Sequence, residues 1–411
     1  MRFLPADICL PDFGAVDAEK WAVIACDQFT SEPEYWEACD AFVGAAPSAL
    51  RLVFPEVWLS PDNASRIAAI NRTMHAYEGG VLRPLGKPGY VYLERTQPDG
   101  RVRCGLVGMI DLEDYDYAPD AKTPIRATEG TVLSRIPPRV AIRRDALYEL
   151  PHVMLLADDP EDRLLAPYAG GAALAPLYDT PLMMGGGHLR GWAVPKSEER
   201  RIEAVLSALS PSSEDTAPFT LAVGDGNHSL ATAKKIYEEM KQNDPQVAKT
   251  SPARYALVEV TNLHSPALDF SPIYRLIVDC EPEQVADAFA EWGTKVGRDP
   301  ANARLPQQTF HLLWAGGERE LTLPHGLHPL AVGTVQAFLD GRPDLSIDYI
   351  HDESSLAALA KKPGALGILF DGMKKQDLFP AVASGGSLPR KTFSMGHARD
   401  KRYYMEARKI K

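Results

Sequence analysis

Apolar residues follow two rhythms along this chain: short continuous runs of the kind a buried strand needs, and recurrences every three or four positions, as on one face of a helix. Ala22-Val23-Ile24-Ala25 is a run of the first kind. Behind it, Ser31-Glu32-Pro33-Glu34 has the Ser-x-x-Glu form of a capping box, ahead of a helical face made by Tyr35, Trp36, Cys39 and Val43. Ser60-Pro61-Asp62 predicts a second helix with proline at its first position. Ile67, Ile70, Met74 and Tyr77 share one of its faces until Gly79-Gly80 ends it. Tyr90-Val91-Tyr92-Leu93 and the stretch 102–110 are strand-like and flank Pro98-Asp99-Gly100, turn chemistry that predicts a hairpin.

From 111 to 144 the periodicity fades into a long connection rich in Asp, Tyr, Pro and Arg. The middle then predicts a helix over 197–209, a polar linker over 210–218, a strand over 219–223, a glycine turn, a helix over 230–241 and a strand over 255–261. After Pro282 come a helix, a hairpin about Ala315-Gly316-Gly317 and short elements up to Phe370, with no internal repeat. The expected fold class is α/β (α+β) with mixed sheets. Its expected organisation is an N-terminal α/β region with the hairpin (1–120), a central region with the glycine turn (121–280) and a C-terminal α/β region (281–411).

A chain of 411 residues, 45% hydrophobic and 24% charged, can bury a large core in more than one structural unit. The formal charge of -11 counts against nucleic acid as a partner, since a polyanion would meet no attractive field. The five cysteines form no Cys-x-x-Cys pair, so free thiols are expected rather than a disulfide framework or a zinc site. The opening Met1-Arg2-Phe3-Leu4-Pro5-Ala6-Asp7 lacks the apolar run of a signal peptide, and no stretch is long enough to span a membrane; the expected compartment is the cytoplasm.

Chemistry concentrates in Gly224-Asp225-Gly226-Asn227-His228-Ser229, between the strand 219–223 and a helix carrying Leu230, Ala233, Tyr237 and Met240. Two glycines permit backbone angles and close approaches that a Cβ forbids, and the first amides of a helix lack intrahelical partners, so an anion is the natural occupant. Asp225 offers a carboxylate for Mg²⁺ or a proton, His228 a donor or a proton exchanger near neutral pH, and Asn227 or Ser229 a helix cap or ligand contact. The plain alternative is an ordinary turn with Asn227 as cap and His228 as a hydrogen-bonded core residue, because the pattern is neither Gly-x-Gly-x-x-Gly nor a P-loop.

Val223 to Ser229 resembles the Ala-Asp-Gly-His-His-Arg signature of the domain-of-unknown-function family 1015, and further segments agree in order. Trp21 to Thr30, with Ala25-Cys26-Asp27-Gln28, resembles its N-terminal motif, and Ala127-Thr128-Glu129-Gly130-Thr131 its Glu-x-Thr box. Pro272-Ile273-Tyr274-Arg275 stands where the family has a His-Arg pair, and Leu388-Pro389-Arg390-Lys391-Thr392-Phe393 resembles its C-terminal box. The family is similar at this turn to the ParB/sulfiredoxin-like nucleotide-binding fold, which includes free-serine kinases. That resemblance implies a phosphate site at Gly224, Gly226, Asn227, His228 and Ser229, with Arg390 and Lys391 contributing positive charge, and Asp225, His228, Glu129 and Asp27 as catalytic candidates. The expected ligand is a nucleotide or other small molecule, with ATP or ADP as phosphate donor and Mg²⁺ on Asp225 for a phosphotransferase. The family's final Arg is Ser229 here, so positive charge must come from elsewhere, with Arg126, Arg275, Arg390 and Lys391 as candidates by motif.

The expected function is thus a nucleotide- or phosphate-binding protein acting as a small-molecule phosphotransferase. A nucleotide sensor without turnover is the alternative, and a ParB-like DNA-associated switch stands behind both, since the chain is acidic and shows no helix-turn-helix. Met183-Met184-Gly185-Gly186-Gly187-His188 reads as a mobile turn following no clear strand, and His264 as a structural residue at a strand end. No Gly-x-Ser-x-Gly elbow exposes Ser229 as a nucleophile.

Overall fold

The apolar runs become strands and the periodic segments helices in a computed structural model that describes residues 2–210 and 217–411. The class is α/β with mixed parallel and antiparallel sheets. Two compact units are present, one made of Met1–Leu268 with His397–Lys411 and the other of Asp269–Gly396. Most of the expected polar linker, residues 211–216, lies outside the described residues.

The first unit is built on a ten-stranded sheet. Its order runs Ala175–Leu182, Gly187–Pro195, Gly89–Thr96, Val102–Asp111, Tyr255–Asn262, Met154–Ala157, Leu221–Asp225, Ile125–Ala127 and Tyr115–Asp116, with Phe3–Leu4 paired to Val102–Asp111. The predicted hairpin forms, with Gly100 at φ 87° in its turn. Helices Glu199–Leu209 and Asn227–Asn243 put Ile202, Leu206, Leu230, Ala233 and Tyr237 onto this sheet's apolar residues.

Several local expectations shift. Helix Pro33–Val43 starts from Glu32 without a side-chain cap, because Pro33 takes a first-turn position and the Ser31 capping box does not form. Helix Ala64–Tyr77 begins three residues beyond Pro61, with the Asp62 carboxylate accepting from Ala64 N at 3.1 Å. The stretch 111–144 is not one structureless connection. It holds two short strands, paired with each other and through Ile125–Ala127 with the distant Leu221–Asp225, and helix Ile136–Arg143, whose buried Ile136 and Val140 stand four residues apart on one face. Met183–Gly185 does follow a strand: it turns the hairpin between Ala175–Leu182 and Gly187–Pro195.

The last fifteen residues are woven back into the first unit. Tyr403–Tyr404 pairs antiparallel with Val23–Ile24, and Ala407–Lys409 pairs with both Ile8–Pro11 and Tyr148–Glu149. Buried charges anchor this return. Arg402 donates to Glu259 at 2.8 Å, to Glu406 at 2.6 Å and to the Pro151 carbonyl at 2.5 Å, while Arg103 reaches Glu259 at 3.3 Å. Arg408 in turn meets Glu149, which also accepts from Leu257 N at 2.9 Å. Charges removed from water in this way hold only when paired and hydrogen-bonded, so the network fixes one path for the C-terminal segment.

The second unit carries a five-stranded sheet in the order Gly317–Leu323, Gln308–Trp314, Leu366–Phe370, Tyr274–Val278 and Ser346–Ile350. The hairpin predicted about Gly316 joins its first two strands. Helices Pro282–Arg298 and Ala331–Asp340 cover the sheet, with Phe289, Phe310 and Phe338 packed at its core.

Candidate functional site

Strand direction gathers three segments at one edge of the large sheet. Leu221–Asp225 runs antiparallel to Met154–Ala157, so Asp225 ends beside the start of that strand and the preceding His152 and Val153. It runs parallel to Ile125–Ala127, so the loop 128–132 leaves the sheet at the same end. Met154 pairs with Asp225 and Leu155 with Val223, which makes Gly224 the extra residue of a bulge that turns the strand's last side chain.

Gly226 then reverses the chain in the left-handed region, φ 76° and ψ 24°, and is itself the cap of helix Asn227–Asn243, a cap residue with no side chain to bond the helix's first turn. This corrects the expectation that Asn227 or Ser229 caps the helix. Asn227 is the first helical residue, and its side-chain nitrogen donates instead to the Glu129 carbonyl at 3.1 Å and the Thr131 hydroxyl at 3.2 Å. The Glu-x-Thr box is thus tied to the glycine turn, and Thr128 Oγ1 donates to Val223 O at 2.7 Å alongside. A Cβ on Gly226 would stand 2.9 Å from Val153 Cα and 3.2 Å from His152 Cδ2, so glycine is required by packing as well as by φ.

A cation beside the turn is Lys401, a residue no sequence motif marked. Its Nζ lies 3.3 Å from Asp225 Oδ2, while Asp225 Oδ1 accepts from Gly226 N at 2.9 Å. The N-terminal motif arrives through its pairing with the C-terminal strand. Ala25 N donates to Arg402 O at 2.9 Å, and Cys26 N to Tyr404 Oη at 3.1 Å. Asp27 Oδ2 faces His152 Nε2 at 3.6 Å, its Oδ1 accepts from Gln28 at 3.0 Å, and Tyr404 Oη lies 2.7 Å from His152 Nδ1. Burial pushes the Asp27 carboxyl up, but the facing His152, the bond from Gln28 and the charge of Lys401 outweigh it and hold the group below the usual carboxylate range. Asp27 is therefore ionised at neutral pH, with its side chain 26% exposed.

His228 is part-buried at the second helical position. Burial, reinforced by the charges of Arg139 and Arg135 against a weaker opposing pull from Asp27, pushes its pKa down to about 4. This corrects the expectation of proton exchange near neutral pH: the ring is neutral there. Its Nε2 accepts from Val132 N at 3.2 Å, which assigns the ring proton to Nδ1.

Asp27, Asp225, His228 and the backbone of Glu129 therefore meet around the turn, joined by His152, Lys401 and Tyr404, which sequence reasoning missed. Two other expected cations, Arg126 and Arg275, are engaged by backbone carbonyls. Arg126 is buried, donates to the carbonyls of Thr123, Ala217 and Pro218, and stacks over Phe219 at 4.7 Å. Arg275 is buried in the second unit and donates to the carbonyls of Ile273, Arg390 and Lys391, which puts Arg390 and Lys391 in that unit as well. His264 bonds Asp158 at 2.6 Å at its strand end. No helix among the described residues is long and apolar enough to cross a membrane.

Comparison with known proteins gives the following. Among solved structures, a free serine kinase mutant in complex with ADP is 12% identical, with a TM-score of 0.40 over 75% of this chain and 93% of that one. A conserved hypothetical protein from Pyrococcus furiosus is 11% identical, with a TM-score of 0.35 over 72% of this chain and 93% of that one. SbnI from Staphylococcus aureus, truncated at its C terminus, is 10% identical at a TM-score of 0.36, over 71% and 82% of the two chains. Scores this low leave this chain's ligand to be read from its own residues. No curated protein matches the chain. The family model for DUF1015, a protein family of unknown function, matches residues 11–342, and the chain belongs to that family.

Proposed function

We propose that the turn at Gly224 to Ser229 binds the phosphates of a nucleotide, and that the site transfers a phosphoryl group to a small hydroxyl-bearing metabolite. The observation that carries the binding is Gly226: a left-handed cap with no side chain over the first turn leaves helix amides for an anion, beside the ammonium of Lys401. Lys401 takes the part that the family's arginine, here Ser229, would otherwise play. A phosphate between the helix amides and Lys401 would draw the ammonium from Asp225.

In the transfer, the substrate oxygen forms a bond to phosphorus as the bond to the leaving nucleotide phosphate breaks, and the hydroxyl proton passes to a carboxylate. Asp27, ionised and partly exposed, is the first candidate, with Glu129 as the other. Among the described residues no three His, Cys, Asp or Glu side chains form a metal cage. Proteins commonly hold Mg²⁺ by one or two carboxylates plus substrate phosphates, so the fit is to a cation arriving with the nucleotide, held at Asp225 and neutralising phosphate charge. A nucleotide sensor without turnover is favoured by one observation, the serine at position 229.

Thermal unfolding with ADP, ATP or inorganic phosphate, each with and without Mg²⁺, tests the binding, since a ligand at about a hundred times its dissociation constant adds roughly 2.7 kcal/mol. A shift with a nucleotide that is lost in Lys401→Ala supports the site; no shift with any of them sinks it. Phosphorus NMR of ADP or ATP with free serine and other hydroxyl metabolites then separates enzyme from sensor.

A further inference from the structure

Two histidines flank the glycine turn, and each has one ring nitrogen held by a hydrogen-bond donor. Tyr404 Oη accepts the backbone N–H of Cys26 at 3.1 Å and lies 2.7 Å from His152 Nδ1. Tyr404 is 1% exposed and burial keeps its pKa well above the usual tyrosine value, so the hydroxyl carries its proton. The Asp27 carboxylate facing Nε2 at 3.6 Å holds the proton of a neutral ring on that nitrogen, which leaves Nδ1 to accept from Tyr404, whose hydroxyl also has the Cys26 thiol as a side-chain partner. Nε2 faces Asp27, and the neighbouring Cδ2 lies against Gly226, so this edge of the ring borders the turn. At His228 the arrangement is mirrored: Val132 N–H occupies Nε2 and the ring proton sits on Nδ1.

We infer that the turn is flanked by two imidazoles preset in opposite tautomers, His152 by the Tyr404 hydroxyl and the Asp27 carboxylate and His228 by the Val132 amide, so that each carries one N–H, that of His152 facing Asp27, and neither acts as the base. Tyr404 is then a positioning residue. It acts on the site through His152 and, by accepting the Cys26 N–H, through the backbone beside Asp27, and proton acceptance falls to a carboxylate. The tautomers stand on geometry alone, while their use toward a phosphate rests on the proposed nucleotide site.

Two-bond proton–nitrogen correlation spectra of the ¹⁵N-labelled full chain at neutral pH report the tautomer of each ring. His152→Gln and His228→Gln assign the signals. The expected result is an unprotonated Nδ1 at His152 and an unprotonated Nε2 at His228. Tyr404→Phe, checked for an unchanged cooperative melt, is expected to lose the single His152 tautomer while His228 stays as it was. If Tyr404→Phe melts without cooperativity, the wild-type spectra decide alone. A wild-type His152 carrying its proton on Nδ1, or a His152 signal unmoved in a folded Tyr404→Phe, overturns the inference. ADP titration of the same samples is a separate readout: absence of ADP shifts overturns the nucleotide reading and leaves the tautomer result standing.

Discussion

Lys401 reaches Asp225 from the far end of the chain, Nζ 3.3 Å from Oδ2, with side chains only 12% and 15% exposed. A pair this sheltered is screened less than a surface ion pair, and it sets a cation at the helix N-terminus before any ligand arrives. Lys401→Ala is expected to weaken ADP binding at least tenfold, about 1.4 kcal/mol, in isothermal titration at low salt. Unchanged affinity would remove Lys401 from the phosphate site.

Asp225→Asn tests the other half of the pair. Without Mg²⁺ it frees Lys401 from its carboxylate, so ADP affinity is expected to hold or rise. With Mg²⁺, the added affinity seen in the wild type is expected to disappear. A Mg²⁺ effect that survives the substitution would move the cation to other ligands.

Gly226→Ala places a Cβ at φ 76°, 2.9 Å from the Val153 backbone. The left-handed angle costs roughly 1–2 kcal/mol for an L-residue, and the clash adds to it by pushing the turn from His152. A lower melting temperature together with loss of the nucleotide shift is expected. A variant as stable as wild type would mean the turn relaxes without cost.

Much of this was legible in the sequence, and the losses have physical causes. The strand, glycine turn and helix at 219–241 announce themselves because apolar run, breaker and helical period are all local. Asp27 and the Glu-x-Thr box were legible as motifs; that they meet the turn depends on strand order, which no local pattern encodes. Lys401, Tyr404 and His152 stayed invisible because their roles arise from Tyr403–Tyr404 pairing with Val23–Ile24 and from the register of Met154 against Asp225. Arg126 misled for the opposite reason: it sits in a motif, yet its guanidinium serves the carbonyls of Thr123, Ala217 and Pro218.

Acid should expose His228. Its folded pKa of about 4 lies below the unfolded value near 6.5, so the unfolded chain binds the extra proton first. The stability this neutral ring contributes is present above pH 6.5 and is lost as pH falls toward 4. Discounted for partial exposure, the loss is on the order of 1–2 kcal/mol. Urea unfolding at pH 7, 5.5 and 4.5 is expected to fall less steeply in His228→Gln than in the wild type; parallel slopes would mean the ring titrates normally.

The strongest stability effect is expected at Arg402, whose guanidinium joins Glu259, Glu406 and the Pro151 carbonyl. Among the described residues, Arg402→Met would leave Glu259 with Arg103 and Glu406 with the Tyr178 hydroxyl, both in the interior. Removing one partner of a buried charge network costs about 3–5 kcal/mol, so urea midpoints should fall sharply or folding should fail. Arg402→Lys keeps the charge but not the planar fork, and should lose less stability. Because Arg402 sits between Lys401 and Tyr403 and bonds the carbonyl just ahead of His152, loosening it displaces both flanks of the turn. ADP affinity in a folded Arg402→Lys should therefore drop although the residue touches no ligand. Full affinity would show that the strand pairing of Tyr403 and Tyr404 holds Lys401 and His152 in place without it.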